Sequence, residues 1–339
     1  MNRDEVSQLK SSIIHSVEMY IQKKRRIKYK ISFAAASVVI VFSVGISFKN
    51  YNTVFSIEDF AKTIEVVNSN TNKSLKLILN NNQNIQITEE KTVITYSKNG
   101  KEINLGGSKS VNQNTSKDEK QVYNSLIVPY GKQSEIILSD GSKVYLNSGS
   151  KLVFPPIFMG DQREVFLEGE GIFEVAHNKD QPFIVKSNNH EIEVLGTVFN
   201  VSNYPDDGTI KTVLKSGSVQ LNYKNDSFFA SKESIKITPG TMAVFSKNEK
   251  NIKTNTVAIE KYFSWQEGIF MFENDSFHTI AKRIARYYNV EITIEDKILE
   301  KELFSGSLDV KESVDQVLKI IQLTSDFDYT INNNIITIN

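Results

Sequence analysis

Histidine and carboxylate pairings are where chemistry would start in this chain, because it has no cysteine. That absence removes disulfides, thiolate nucleophiles and cysteine metal sites. His190 stands directly before Glu191 and Glu193, a grouping with the right residue types for a metal. The two glutamates alternate with Ile192 and Val194, however, and the solvated face of a strand gives the same pattern. The other histidines are His15, His177 and His278. Glu168 and Glu170 flank Gly169, and paired carboxylates can serve as acid and base; glutamates in a turn are equally just solvated. Asp140-Gly141 and Asp206-Asp207-Gly208 read as turn chemistry before calcium ligands. Trp265 with Tyr262 and Phe270 could offer a platform to a sugar, although a hydrophobic junction between two domains is the commoner use of such a group. No serine-centred nucleophile elbow, phosphate loop or dinucleotide fingerprint occurs. We therefore expect no enzyme, no catalytic residues, no cofactor and no metal.

The elements that position these residues are sorted by residues 31–48, ISFAAASVVIVFSVGISF, which carry no charge and no proline. As a helix at about 1.5 Å per residue this run would span roughly 27 Å, close to the hydrocarbon core of a bilayer. Lys23, Lys24, Arg25, Arg26, Lys28 and Lys30 precede it and only Lys49 follows at once. Positive charge resists translocation, so the basic end is expected in the cytoplasm and the bulk of the chain in the periplasm of a bacterial inner-membrane protein with a single pass. A cleaved signal peptide, a buried core helix and a nucleic-acid patch are the competing readings of the same stretch. Lys+Arg and Asp+Glu balance at 40 each, so no overall field favours nucleic acid.

Ahead of the apolar run, Leu9, Ile13, Val17 and Tyr20 follow helical spacing, which makes residues 1–26 a short amphipathic helix and 27–48 the span. The stripe suits either a membrane surface or a partner helix. Residues 49–120 read as β-hairpins and a linker. Leu75–Leu79 and Asn84–Ile87 flank an Asn-rich turn, 92–96 and 102–105 flank an Asn-Gly turn, and 106–120 has one apolar residue.

Residues 121–258 predict an all-β domain, a sandwich or stacked strands. Short strands recur with turns at Ser139–Ser142, Glu168–Gly171, Pro205–Gly208, Ser216-Gly217 and Pro239-Gly240. In 259–339 the period changes. Phe277, Ile280, Ala281, Ile284, Ala285 and Tyr288 mark one helix, and Val310, Val314, Val317, Leu318 and Ile321 a second. Asp309 with Glu312 fits a capping box for the latter. The order β-α-β-β-α-β-β predicts a small α/β domain, with an open sheet edge at Leu303, Phe304, Ser305, Gly306 and Ser307 able to accept a strand.

An ordered set of motifs then appears: Pro129-Tyr-Gly131, Leu138-Ser-Asp140-Gly141-Ser, and Arg163 through Gly169, Glu170 and Phe173 to Val175. Pro182-Phe183, Gly196-Thr197-Val-Phe199-Asn200, Gly217, Pro239-Gly240 and Trp265 complete it. Over roughly 122–339 this set resembles the FecR family of transmembrane sigma-factor regulators, in the form common in Bacteroidetes. The last domain is similar to the short N-terminal domains of secretins and TonB-dependent receptors. The resemblance implies an anti-sigma factor or sigma regulator. It implies two partners: a cytoplasmic extracytoplasmic-function sigma factor, held by Leu9, Ile13, Val17 and Tyr20, and the N-terminal signalling domain of a TonB-dependent outer-membrane receptor, met at Leu303–Ser307. Membrane lipid would be a further contact, and control of iron or glycan uptake the usual output. The motif glycines would then serve shape rather than catalysis. The alternative is a periplasmic binding or scaffold module for glycan or an envelope complex.

Overall fold

The architecture is that of a computed structural model, which describes residues 10, 14–25, 42–43, 56–64, 74–81, 83–88, 93–106, 109–115, 122–187, 190–224 and 232–339. The chain forms two compact units, Met1–Phe55 and Ser56–Asn339. In the first, residues 14–25 form helix α1.

The second unit opens with helix α2 (Ile57–Thr63), capped by the Ser56 hydroxyl, which accepts from the Asp59 N–H. Strands follow in chain order: β1 (Leu75–Ile78), β2 (Asn84–Ile87), β3 (Val93–Tyr96), β4 (Glu102–Leu105), β5 (Ser110–Asn112), β6 (Asn124–Val128), β7 (Ser134–Ile137), β8 (Lys143–Leu146), β9 (Ser150–Phe154) and β10 (Arg163–Glu174). Then come β11 (Phe183–Ser187), β12 (His190–Val194), β13 (Val198–Asn203), β14 (Thr209–Ser216), β15 (Val219–Lys224), β16 (Lys232–Ile237), β17 (Thr241–Ser246) and β18 (Ile252–Thr256).

Pairing sorts these strands into two layers. One runs β2-β1-β6-β9-β10-β11-β12-β15-β16. The other runs β5-β4-β3-β7-β8-β10-β13-β14-β17-β18. Strand β10 belongs to both. Its first half pairs with β9 and β11, its second half with β8 and β13. Between the layers lies the main core, including Leu126, Leu152, Val165, Leu167, Phe173, Phe199 and Leu221. Side chains alternate across a strand, so β10 also feeds two other cores. Phe166 packs with Ile57, Ala61, Tyr123 and Val153 under α2, and Ile172 packs toward the C-terminal domain.

That domain comprises helix α3 (Glu260–Phe263), a 3-10 turn over Ser264–Glu267, β19 (Ile269–Ser276), α4 (Phe277–Tyr288), β20 (Glu291–Ile294), a second 3-10 turn over Leu299–Lys301, β21 (Leu303–Asp309), α5 (Val314–Gln322), β22 (Tyr329–Asn332) and β23 (Ile335–Ile338). After the 3-10 turns are set aside, β19 to β23 keep the expected β-α-β-β-α-β-β order.

Several expectations are corrected. The single-pass part of the fold class does not stand. Among the described residues no helix is long and apolar enough to cross a membrane. The 12-residue α4 is about 18 Å long, against a hydrocarbon core of about 30 Å. Residues 27–48, apart from Phe42 and Ser43, lie outside the described residues. What the structure supports is a mostly β chain, an all-β domain followed by a small α/β one. The turn expected at Glu168–Gly171 is the middle of β10, because Gly169 takes φ +101° and lets one strand bend from one layer to the other. The loop expected over 106–120 contains β5, which pairs with β4 and half-buries Val111. The capping box of α5 is Ser313 with Gln316; Asp309 instead closes a turn by accepting from the Lys311 N–H. The α/β domain has two small sheets rather than one, β19-β21 and β20-β23-β22.

Candidate functional site

The junction between the β-layers and the C-terminal domain is built from packing first. Trp265, 2% exposed, joins Phe263, Phe270, Ile284 and Val310 in a core that also takes Ile172 from β10 and Val213 from β14. The Tyr262–Trp265–Phe270 group is thus a buried junction and presents no open platform. Glu170 braces the same place. Its carboxylate accepts from Asn147 Nδ2 at 2.9 Å and Asn200 Nδ2 at 3.1 Å, and Asn200 Nδ2 also reaches the Tyr262 carbonyl at 3.1 Å. Glu168 lies instead 3.5 Å from the buried Lys151 ammonium, which also donates to the Ala61 carbonyl at the end of α2. The two glutamates are struts, with no arrangement for acid–base work.

An ion-pair latch completes the junction. Arg286 on α4 places Nη2 at 2.8 Å and 2.9 Å from the Asp206 carboxylate and 3.1 Å from Asp207. Lys282, one turn earlier, lies 2.9 Å from Asp207 and 3.0 Å from Asp206. The Arg286 guanidinium stacks 3.6 Å from the Tyr204 ring centroid. Burial pushes the two carboxyls up, but Arg286 and Lys282 outweigh it and hold both below the ordinary aspartate value. The Gly131 N–H donates to the Arg286 carbonyl, and Gly131 has φ +77° with Asn289 beside it, so a motif glycine is the seat for the end of α4. Arg283 lies over Phe270 and Phe272 and donates to the Met271 carbonyl.

The remaining motif residues form separate structural groups. Arg163, 1% exposed, bonds Asp140 at 2.7 Å and the carbonyls of Gln181 and Ala176, while Asp140 accepts from Ser142 across Gly141. Phe173 stacks on Phe199 at 5.2 Å and meets Phe183 edge-on. Gly217 packs on Thr197, whose hydroxyl donates to the Ser218 carbonyl; Gly196 packs on His177. Pro239 and Gly240 turn the chain from β16 into β17, with Gly240 at φ +82°.

His190 is buried against Phe245, ring centroids 5.2 Å apart, and burial pushes its pKa down to about 4. No group of three or more potential ligands that could hold a metal occurs among the described residues. His278 pairs with Glu300 at 3.0 Å.

Two exposed surfaces remain. On α1, Val17 and Tyr20 are exposed, as are Ile14 and Ile21; Leu9 and Ile13 lie outside the described residues. On β21, Leu303 is 62% exposed and Phe304 packs inward on Phe277 at 5.3 Å. Ser305, Gly306 and Ser307 are exposed, and β21 pairs with β19 alone among the described strands. Sequence reasoning missed the latch, since Asp206 and Asp207 read only as a turn and Arg286 lies outside the apolar stripe of α4; its burial, 7% exposed, shows only in the fold.

Comparison with known proteins agrees with this architecture. Residues 124–220 match the FecR protein model and residues 269–338 the model for the FecR C-terminal domain. Two crystal structures of proteins from Parabacteroides distasonis ATCC 8503, provisionally assigned as anti-sigma factors, are similar. Each has 25% identity and a TM-score of 0.58; they cover 63% and 64% of this chain and 98% of their own. No curated protein matches. With both characteristic domains present in order, the chain belongs to the FecR family of anti-sigma, sigma-regulating proteins.

Proposed function

We propose that this sigma-factor regulator relays a signal from the N-terminal signalling domain of a TonB-dependent outer-membrane receptor to a cytoplasmic extracytoplasmic-function sigma factor. The observation that carries the reading is β21. It is an edge strand of the family's C-terminal domain, with one side paired to β19 and Leu303 exposed beside it. Such an edge suits docking by strand addition. Unit Ser56–Asn339 is then the periplasmic receiver. The sigma factor meets Val17 and Tyr20 on α1, together with Leu9 and Ile13, which share their spacing in the sequence.

Deleting the gene and comparing transcripts with the parent strain tests the output. A change confined to a sigma-dependent uptake operon is expected, and its direction separates inhibitor from activator. No transcriptional change would remove the relay. In the intact gene, Leu303→Asp should abolish the response to the inducing nutrient while leaving the protein's level and melting temperature unchanged. An undiminished response would exclude β21 as the docking edge.

A further inference from the structure

Beside the latch, between the β-domain and the C-terminal domain, lies a cleft of about 620 Å³. That volume falls within the range typical of ligand sites, about 300–1,000 Å³. The β-domain contributes Tyr145, Ser134 and Glu135; the C-terminal domain contributes Trp265, Gln266, Tyr287, Lys311 and Glu312. We infer that this cleft binds a neutral oligosaccharide across the domain junction. The inference goes beyond the sigma-regulator reading and stands without it.

Four observations select that ligand class. Part of the wall is aromatic, and Tyr145 and Tyr287, both half-buried, supply flat apolar surface with polar edges, the kind that covers a sugar ring, while Trp265 beside them is buried. The polar groups are unspent. The side chains of Glu135, Gln266 and Glu312 and the hydroxyls of Tyr145 and Tyr287 make no hydrogen bond or ion pair to another described residue. Two lining residues carry buried atoms without a partner, Trp265 Nε1 and Ser134 Oγ. A sugar hydroxyl both donates and accepts, so it can serve the carboxylates, the Gln266 amide and the tyrosine hydroxyls alike. Finally, charge balances, with Lys132 and Lys311 against Glu135 and Glu312, which favours neither an anion nor a cation.

A peptide strand fits less well. The wall strands are already paired on both sides, β7 with β3 and β8, and β8 with β7 and β10. They offer no free backbone edge to a peptide.

Trp265 is the chain's only tryptophan, so its emission reports on this cleft directly. The full chain is titrated with maltotriose, cellotriose, xylotriose, mannotriose and chitotriose, each to about 10 mM, a concentration that detects even millimolar binding. The expected result is a saturable change in emission with at least one trisaccharide. Gln266→Ala and Tyr145→Ala should each weaken it by about tenfold or more, close to 1.4 kcal/mol. Gln266 is exposed, so its variant keeps the native melting temperature and isolates binding from folding. No saturable response to any of the five sugars overturns the inference. So does a response that both variants leave unchanged, or one given by trialanine or ATP and not by the sugars.

Discussion

Replacing Arg286 by alanine tests whether the two domains are held by a specific charge network. In the native junction its side chain is 9% exposed and its guanidinium meets two carboxylates, on the side chains of Asp206 at 50% and Asp207 at 30% exposure. The carboxylates are open enough to solvent that the full cost of a broken buried pair does not apply, so each lost ion pair is worth about 1 kcal/mol. The stack on Tyr204 adds about 1 kcal/mol. Lys282 stays beside both aspartates and limits the damage. Arg286→Ala should therefore cost about 3 kcal/mol, and Arg286→Lys somewhat less, because an ammonium keeps the charge and loses the fork. For a unit of this size that is a fall of about 6–12 °C in melting temperature, at roughly 2–4 °C per kcal/mol. Calorimetry on the full chain reads it. A double-mutant cycle with Asp207→Asn should then give a coupling above about 0.5 kcal/mol. Strict additivity, or a melting point within a degree of native, would refute the latch.

Acid should weaken the fold through His190. Its folded pKa of about 4 lies below the ordinary 6.5, so its contribution is fully present above pH 6.5 and is lost as pH falls toward 4. The loss is on the order of 3 kcal/mol, and His190→Leu should flatten that part of a stability-versus-pH curve. Below about pH 3.8 the latch should fail as well, because Asp206 and Asp207 are held below their ordinary value. Gly169→Ala should destabilise by about 2–4 kcal/mol in denaturant melts. It puts a side chain at φ +101° and a Cβ 2.6 Å from the Ser150 Cα. Gly196→Val should cost about 1–3 kcal/mol, since even its Cβ would stand 2.8 Å from the His177 Cα.

Much of this fold is written locally. The α4 pattern of Phe277, Ile280, Ala281 and Ile284 is periodic at 3.6 residues, and all four are buried. The β3–β4 hairpin follows from its Asn-Gly turn and clean alternation. Every residue of β6 and β9 is buried, so Asn124–Val128 and Ser150–Phe154 carry no alternation to read. Strand β10 was cut in two because Gly169 and Gly171 look like turn residues. Only the pairing of its halves with different layers shows that the chain bends there and continues. The α5 cap was misplaced by one turn, since Asp309 with Glu312 and Ser313 with Gln316 are equivalent patterns on paper. The latch was illegible for a different reason: Arg286 and Asp206 are 80 residues apart, and nothing local announces the pairing.

The junction decides how the receiver can work. Domains that meet through a small polar contact move relative to one another by default. Here Trp265 and Phe270 share a core with Ile172 and Val213, Glu170 is tied through Asn200 to the Tyr262 carbonyl, and the latch holds α4 from outside. A hinge at this place would have to open an apolar core and break buried hydrogen bonds together, a cost of several kcal/mol. Ile172 is also one residue from Phe173 in the main core and six from Phe166 beneath α2, on the same continuous strand. A partner that docks on β21 therefore acts on a body that includes α4, β10 and α2. Regulation in this unit is better served by what occupies β21 and the cleft than by bending between its domains.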